Sequence, residues 1–184
     1  VSTNGFIDFS SSTANGDGGS AYGFVNSLFN QAGGTTLALA PFYDDLTSQN
    51  AVDPLGSSLK YITTGFRPNR VLTIEWIDMA VYGNTSPSLN FQIKLYETSN
   101  IIDFIYGNML NAGFGFTYTT GINASVLSAT PSASQLSVMQ TANTTTFSQN
   151  PVSNLSTMPT TNSRLRFVST ESFPATSGSL ALSS

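Results

Sequence analysis

The stretch from Leu89 to Tyr106 constrains the fold more than any other. LNFQIKLYE and IIDFIY each alternate apolar and polar side chains with a period of two, the pattern of half-buried strands. Thr98-Ser99-Asn100 separates them as a short polar turn. A tight hairpin there sets Leu95 opposite Ile102, Ile93 opposite Phe104 and Phe91 opposite Tyr106. The same register sets Lys94 opposite Asp103 on the other face, as a cross-strand charge pair. A slip of one residue destroys both matches.

The pattern extends upstream. Arg70 to Asp78 (RVLTIEWID) alternates Leu72, Ile74 and Trp76 with Thr73, Glu75 and Ile77, and Ser58 to Thr63 (SLKYIT) is a further strand. Gly65-Phe66-Arg67-Pro68-Asn69 is the turn between them. Residues 57–106 therefore read as a four-stranded antiparallel meander, with a longer loop over Met79 to Ser88. Strands are also expected in Val1–Phe9, Thr36–Phe42, Phe114–Ile122 and Arg164–Val168, with weaker signals at Leu136–Met139 and Thr144–Phe147. Tyr22–Phe29 fits either a strand or a short helix. Many short strands and no long helical pattern point to an all-β fold, an antiparallel β-sandwich of jelly-roll type. Residues 1–170 form one such domain, and 171–184 read as a low-complexity tail or linker.

Of the 184 residues, 9% are charged and 40% hydrophobic. Ser, Thr, Asn and 15 Gly must therefore cover the surface. Such residues suit turns and solvated strand faces, and the composition points to an extracellular setting. Six basic residues stand against 10 acidic ones, a net charge of −4, and the basic ones are scattered. A nucleic-acid surface needs a dense basic patch, so nucleic acid is not an expected partner. No apolar run approaches the ~18 residues of a membrane span. The chain has no Cys and no His. It thus lacks thiolate nucleophiles, the usual zinc ligands and the commonest general base.

Three segments, taken in order, carry a resemblance: VSTNGFIDF from Val1, LAPFYDDL from Leu39, and the Arg70–Tyr106 meander with TIEW and FQIKLYE. Their order resembles domains of large secreted or cell-surface proteins of Bacteroidota-type bacteria. More distantly it is similar to the extracellular nidogen-type (NIDO) domain, in which an NGxIxF strand, an APFxxD segment, a W strand and an FQ strand follow one another. The similarity spans roughly residues 1–123. It implies a β-rich extracellular module of an adhesive protein and does not imply an enzyme. In such bacterial proteins further strands usually precede VSTNGF. With none before Val1, the sheet would keep an unpaired edge open to self-association.

Candidate chemistry is sparse. Asp44 and Asp45 follow a strand. They could hold Ca²⁺ if carbonyls and a third acid, Asp17 or Asp53, joined them; otherwise they cap the strand end. Glu75 and Asp78 lie three apart on one strand. Strict alternation puts them on opposite faces, so alone they cannot form the facing carboxyl pair of a glycosidase. A Ser nucleophile would need Lys60 or Lys94 as base, and neither lies in a recognisable motif. Aromatic rings can stack on sugars, and Tyr43, Tyr82, Phe66 and Tyr118 are the candidates. Tyr82, in the Met79–Ser88 loop, and Tyr43 are the favoured ligand contacts. Asn-x-Ser/Thr sequons occur at Asn84, Asn123, Asn143 and Asn154. The expected role is a non-catalytic adhesion or ligand-binding module that meets a protein or glycan surface. The alternatives are a fibre or sheath subunit assembled by strand pairing, and a lectin-like accessory domain of a secreted enzyme.

Overall fold

The computed structural model describes residues 1–9, 38–47, 56–83, 88–110, 116–123, 135–140, 144–149, 152 and 154–168. Tyr22–Phe29, Asp17, Asp53 and the tail 171–184 lie outside these residues. The described chain is all-β, in eleven strands: β1 (Ile7–Asp8), β2 (Ala38–Tyr43), β3 (Leu46–Thr47), β4 (Ser58–Thr64), β5 (Val71–Val81), β6 (Leu89–Tyr96), β7 (Ile102–Met109), β8 (Thr119–Asn123), β9 (Gln135–Gln140), β10 (Thr145–Ser148) and β11 (Arg164–Phe167). All their pairings are antiparallel. One sheet has the order β1-β2-β8-β9-β10. The other runs β11-β7-β6-β5, and both β3 and β4 lie along the far side of β5. The two sheets pack face to face as a β-sandwich.

The hairpin register follows the side-chain pattern. Leu95 pairs with Ile102, Ile93 with Phe104 and Phe91 with Tyr106. Rows run straight across the inner face of the six-stranded sheet: Ile74, Ile93, Phe104 and Leu165 in one, Trp76, Phe91 and Tyr106 in the next. These side chains are buried, and each stabilises the fold by roughly 1.5–3 kcal/mol through burial. Phe42 of β2 brings the second sheet onto them. Its ring stacks on Tyr118 at 4.3 Å and lies 5.9 Å from Phe91, which stacks on Trp76 at 5.1 Å.

Lys94 does stand opposite Asp103, but the short ion pair goes elsewhere. Arg166 of β11, on the other side of β7, donates two 2.7 Å bonds to the buried Asp103 carboxylate. Tyr96 donates a third, at 2.9 Å. Arg166 foremost, with Tyr96 assisting and burial opposing, holds the Asp103 carboxyl below its ordinary range.

Three bulges interrupt the ladders. On β2, Ala40 to Tyr43 takes three steps where β8 takes two, Gly121 to Thr119. Pro41 sits inside this bulge, where its missing N–H costs no ladder bond. Its carbonyl accepts two 2.9 Å hydrogen bonds, one from Tyr106 Oη across the core and one from Thr120 Oγ1. On β5, Trp76 to Met79 is opposed by Phe91 to Leu89. On β7, Tyr106 to Met109 is opposed by Phe91 to Leu89. Asn90 is flanked by both. It accepts from Asp78 N–H at 3.1 Å and donates to Asp78 Oδ1 at 3.0 Å and Asn108 O at 3.5 Å. The extra residue in β5 corrects the expected geometry of Glu75 and Asp78. Asp78, at φ 50°, turns to Asn90 on the outer face, and Glu75 accepts from Gln92 on that same face at 2.6 Å.

Tyr106→Phe keeps the ring and deletes the cross-sheet hydroxyl. It should lower unfolding free energy by about 1–2 kcal/mol in urea titration. Asn90→Leu leaves the polar groups of two bulges without their partner and should cost at least as much.

Candidate binding surface

The chain that resembled a motif order is built as one structural unit. Ser2 N–H donates to Phe6 O at 2.9 Å, closing a tight loop around Asn4 and Gly5. Asn4 then latches the strand end after β2: its Oδ1 accepts from Leu46 N–H at 3.2 Å and its carbonyl from Asp44 N–H at 3.4 Å. Gly5 has φ +79°, and a Cβ there would lie 1.9 Å from Phe42 O. Only glycine fits. Trp76 Nε1 donates to Ser2 O at 3.0 Å, tying this loop to the opposite sheet.

The four favoured site residues meet at this end of the sandwich. Asp44 Oδ1 accepts from Asp45 N–H at 2.8 Å, and Asp45 O accepts from Tyr82 N–H at 2.7 Å. Their exposures differ sharply. Tyr82 is 72% exposed, whereas Tyr43 is buried with its ring edge-on to Phe6 at 5.2 Å. Asp44 is buried, and desolvation raises the Asp45 pKa. Among the described residues no group of three or more His, Cys, Asp and Glu is placed to hold a metal ion.

The other aromatic candidates also divide. Tyr118 is buried and donates its O–H to Thr157 O. Phe66 is 90% exposed, in the turn between β4 and β5. Phe66 and Tyr82 lie beyond opposite ends of β5, whose 11 residues span roughly 35 Å, so they belong to separate surfaces. Of the sequons, Asn123 is buried in β8, Asn154 is exposed at φ +61°, and Asn84 and Asn143 lie outside the described residues.

The Phe66 end carries residues that the sequence reading passed over. β4 extends the inner face past the second sheet: Leu59 pairs with Trp76 and Tyr61 with Ile74, yet Tyr61 is 80% exposed and Leu59 is exposed as well. Ile62, on the outer face, is also exposed. Alongside lies a cleft of about 320 Å³ lined by Thr63, Arg70, Leu72, Leu95, Tyr96 and Glu97.

This end is held firmly. Arg70 donates from Nε to Glu97 Oε2 at 2.9 Å and from Nη2 to Oε1 at 2.5 Å, and its backbone N–H also reaches Oε2 at 3.0 Å. Glu97 N–H returns a bond to Arg70 O, and Thr98 Oγ1 donates to Pro68 O. The two neighbouring turns of the sheet are thereby clamped together. Within the first, Asn69 N–H donates to Phe66 O at 2.7 Å, beside a cis Arg67–Pro68 bond.

A family model described as NIDO related matches residues 1–169. The chain belongs to the NIDO-related family. The latch between the Asn4-Gly5 loop and the strand end after β2, and the Trp76 bond to Ser2, give this NIDO-related domain the physical basis of its motif order. NIDO-related domains are typically extracellular modules. No curated protein and no solved structure matches the chain significantly. No helix among the described residues is long and apolar enough to cross a membrane.

Hydrogen bonds from the Arg70 side chain and backbone lower the Glu97 pKa from 4.5 to about 2. A depressed carboxyl stabilises the fold above its unfolded pKa and loses that contribution as pH falls through the folded one. Urea midpoints should therefore drop between pH 5 and pH 2. Glu97→Gln should flatten part of that slope while leaving the remainder, which includes Asp103.

Proposed function

We propose that this domain is a non-catalytic binding module of a larger bacterial surface or secreted protein, which engages a protein or glycan ligand through the Phe66 end of its six-stranded sheet. The observation that carries this reading is the pairing of full exposure with firm anchorage. Tyr61 and Phe66 are 80% and 90% exposed, at the end of the sheet that also holds a cleft of mixed lining, Leu72 and Leu95 with Arg70 and Glu97. Leaving rings of this size in water forgoes roughly 1.5–3 kcal/mol each. Single exposed apolar side chains are ordinary, but a contiguous set on a rigid element marks a contact surface. The Arg70–Glu97 pair and the Thr98 bond to Pro68 O fix the turns at this end, which reduces the backbone ordering that binding must supply.

The non-catalytic part of the reading rests on the acids. Glu75, Asp78, Glu97 and Asp103 are each engaged by a neighbouring amide or guanidinium. The chain has no His or Cys, and the one hydroxyl among the described residues bonded to these side chains, that of Tyr96 on Asp103, shares a carboxylate already committed to Arg166. A fibre or sheath subunit is the second reading, favoured by the seven-residue open strand β4. It requires open-ended, concentration-dependent growth visible by light scattering.

Binding to glycan arrays and to immobilised extracellular-matrix proteins tests the first reading. Phe66→Ser combined with Tyr61→Ser should weaken binding at least about tenfold, with the melting temperature nearly unchanged because both side chains are exposed. Tyr82→Ser, at the far end, should have no effect. Retained affinity in the double variant, or loss in the Tyr82 variant alone, would place the contact surface elsewhere.

A further inference from the structure

β4 bonds to β5 along one side, and among the described residues no strand lies on its other side. The remaining edge strands are shorter: two residues in β1 and β3, four in β10 and β11. Every residue from Leu59 to Thr64 is exposed, and Lys60 is the strand's lone charge. Long open edges of this kind template the addition of another strand.

Length and charge select which strand. β11 brings Arg164 and Arg166 against Lys60, a like-charge meeting. β4 suits its own copy. A two-fold axis normal to the sheet at Tyr61 sets Tyr61 opposite Tyr61, Leu59 opposite Thr63, Lys60 opposite Ile62 and Ser58 opposite Thr64, so all seven residues pair. Moving the axis to Lys60 opposes two ammonium groups. Moving it to Ile62 leaves only Lys60 to Thr64 paired.

We propose that β4 pairs antiparallel with β4 of a second copy of this chain in the Tyr61-centred register, giving a closed two-fold dimer with one sheet continuous across both copies. The proposal rests on the same open surface as the binding reading and names one occupant of its edge. Side chains stand perpendicular to a sheet, so the axis leaves both Tyr61 rings and both clefts facing the same way. The dimer then offers two ligand-contact surfaces on one face, which raises avidity for a multivalent partner.

Sedimentation velocity of the chain from about 1 to about 100 µM should show a monomer–dimer equilibrium. Ile62→Lys sets a second ammonium opposite Lys60 and should raise the dimer Kd about tenfold, because the mismatch occurs twice in the interface. Ile62→Glu sets a carboxylate there and should leave the dimer at least as tight. Both variants should melt like the parent when dilute, since Ile62 is exposed in the monomer. The parent has no cysteine, so a single Tyr61→Cys change gives a clean geometric probe. Directly opposed Cβ atoms lie ~4.5–5.5 Å apart, and diamide should link that variant into dimers. Phe147→Cys, exposed on β10, should not be linked by diamide. A monomer throughout the range overturns the proposal. So do growth beyond dimers, equal weakening by the Lys and Glu variants, or equal cross-linking at positions 61 and 147. A monomer that still binds glycan or matrix protein sinks the dimer alone. A dimer that binds neither sinks the ligand reading alone.

Discussion

The carbonyl of Pro41 joins the two sheets at the point where their phases must agree. It accepts Tyr106 from one sheet and Thr120 from the neighbouring strand of its own. Two buried hydroxyls are satisfied at one oxygen, and burial raises the Tyr106 pKa far enough to keep it a donor. The bulge around Pro41 also resets the alternation of β2. Without it Pro41 and Tyr43 would share the inward phase of Leu39. With it Phe42 enters the central aromatic stack, and Tyr43 turns to Phe6 on the opposite side. Gly5 follows from this, because the loop that brings Phe6 over Tyr43 runs against the Phe42 carbonyl. The NG and APFYDD motifs are thus two halves of one packing arrangement.

Much of the fold was legible because it follows from period-two patterning. The β6–β7 register, the turn at Thr98 to Asn100 and the β4–β5 hairpin needed only local information. The turn forms with Thr98 and Asn100 at positive φ, a conformation that asparagine tolerates better than most residues. What failed did so at the bulges, since one inserted residue inverts every later inference about faces. Strict alternation opposed Asp78 to Glu75, and the β5 bulge returns both to one face. Tyr43 is a separate case: it looked like an available aromatic, and Phe6 packs over it. The partner of Asp103 was missed differently: Arg166 lies 63 residues on, and no local pattern joins them.

The candidate surface was harder to read. Phe66 was visible as an aromatic in a turn. Tyr61 and Leu59 were not, because SLKYIT has the composition of an ordinary half-buried strand. Their exposure comes from the placement of the other sheet, whose strands cover β5, β6 and β7 but not β4. A single sequence encodes which residues share a face. It says far less about how far the facing layer extends.

The distribution of irregularity separates the two ends of the molecule. The bulges lie at Pro41, at Ile77–Asp78 and at Gly107–Asn108, and only the second reaches the stretch where Val71–Ile77 pairs with β4, at its Ser58 end. That stretch is unbroken over seven consecutive pairs. Bulges, prolines and inward charges are the usual means of making an edge unattractive to other strands. β4 has neither proline nor bulge, and Lys60 is its lone charge. The Arg70–Glu97 clamp removes a further means of protection, because it holds both adjoining turns in place and keeps the edge from fraying. A long, exposed and uninterrupted edge carries an association hazard. A second positive charge beside Lys60 would oppose self-pairing of this edge at little cost to the folded monomer, and β4 carries none.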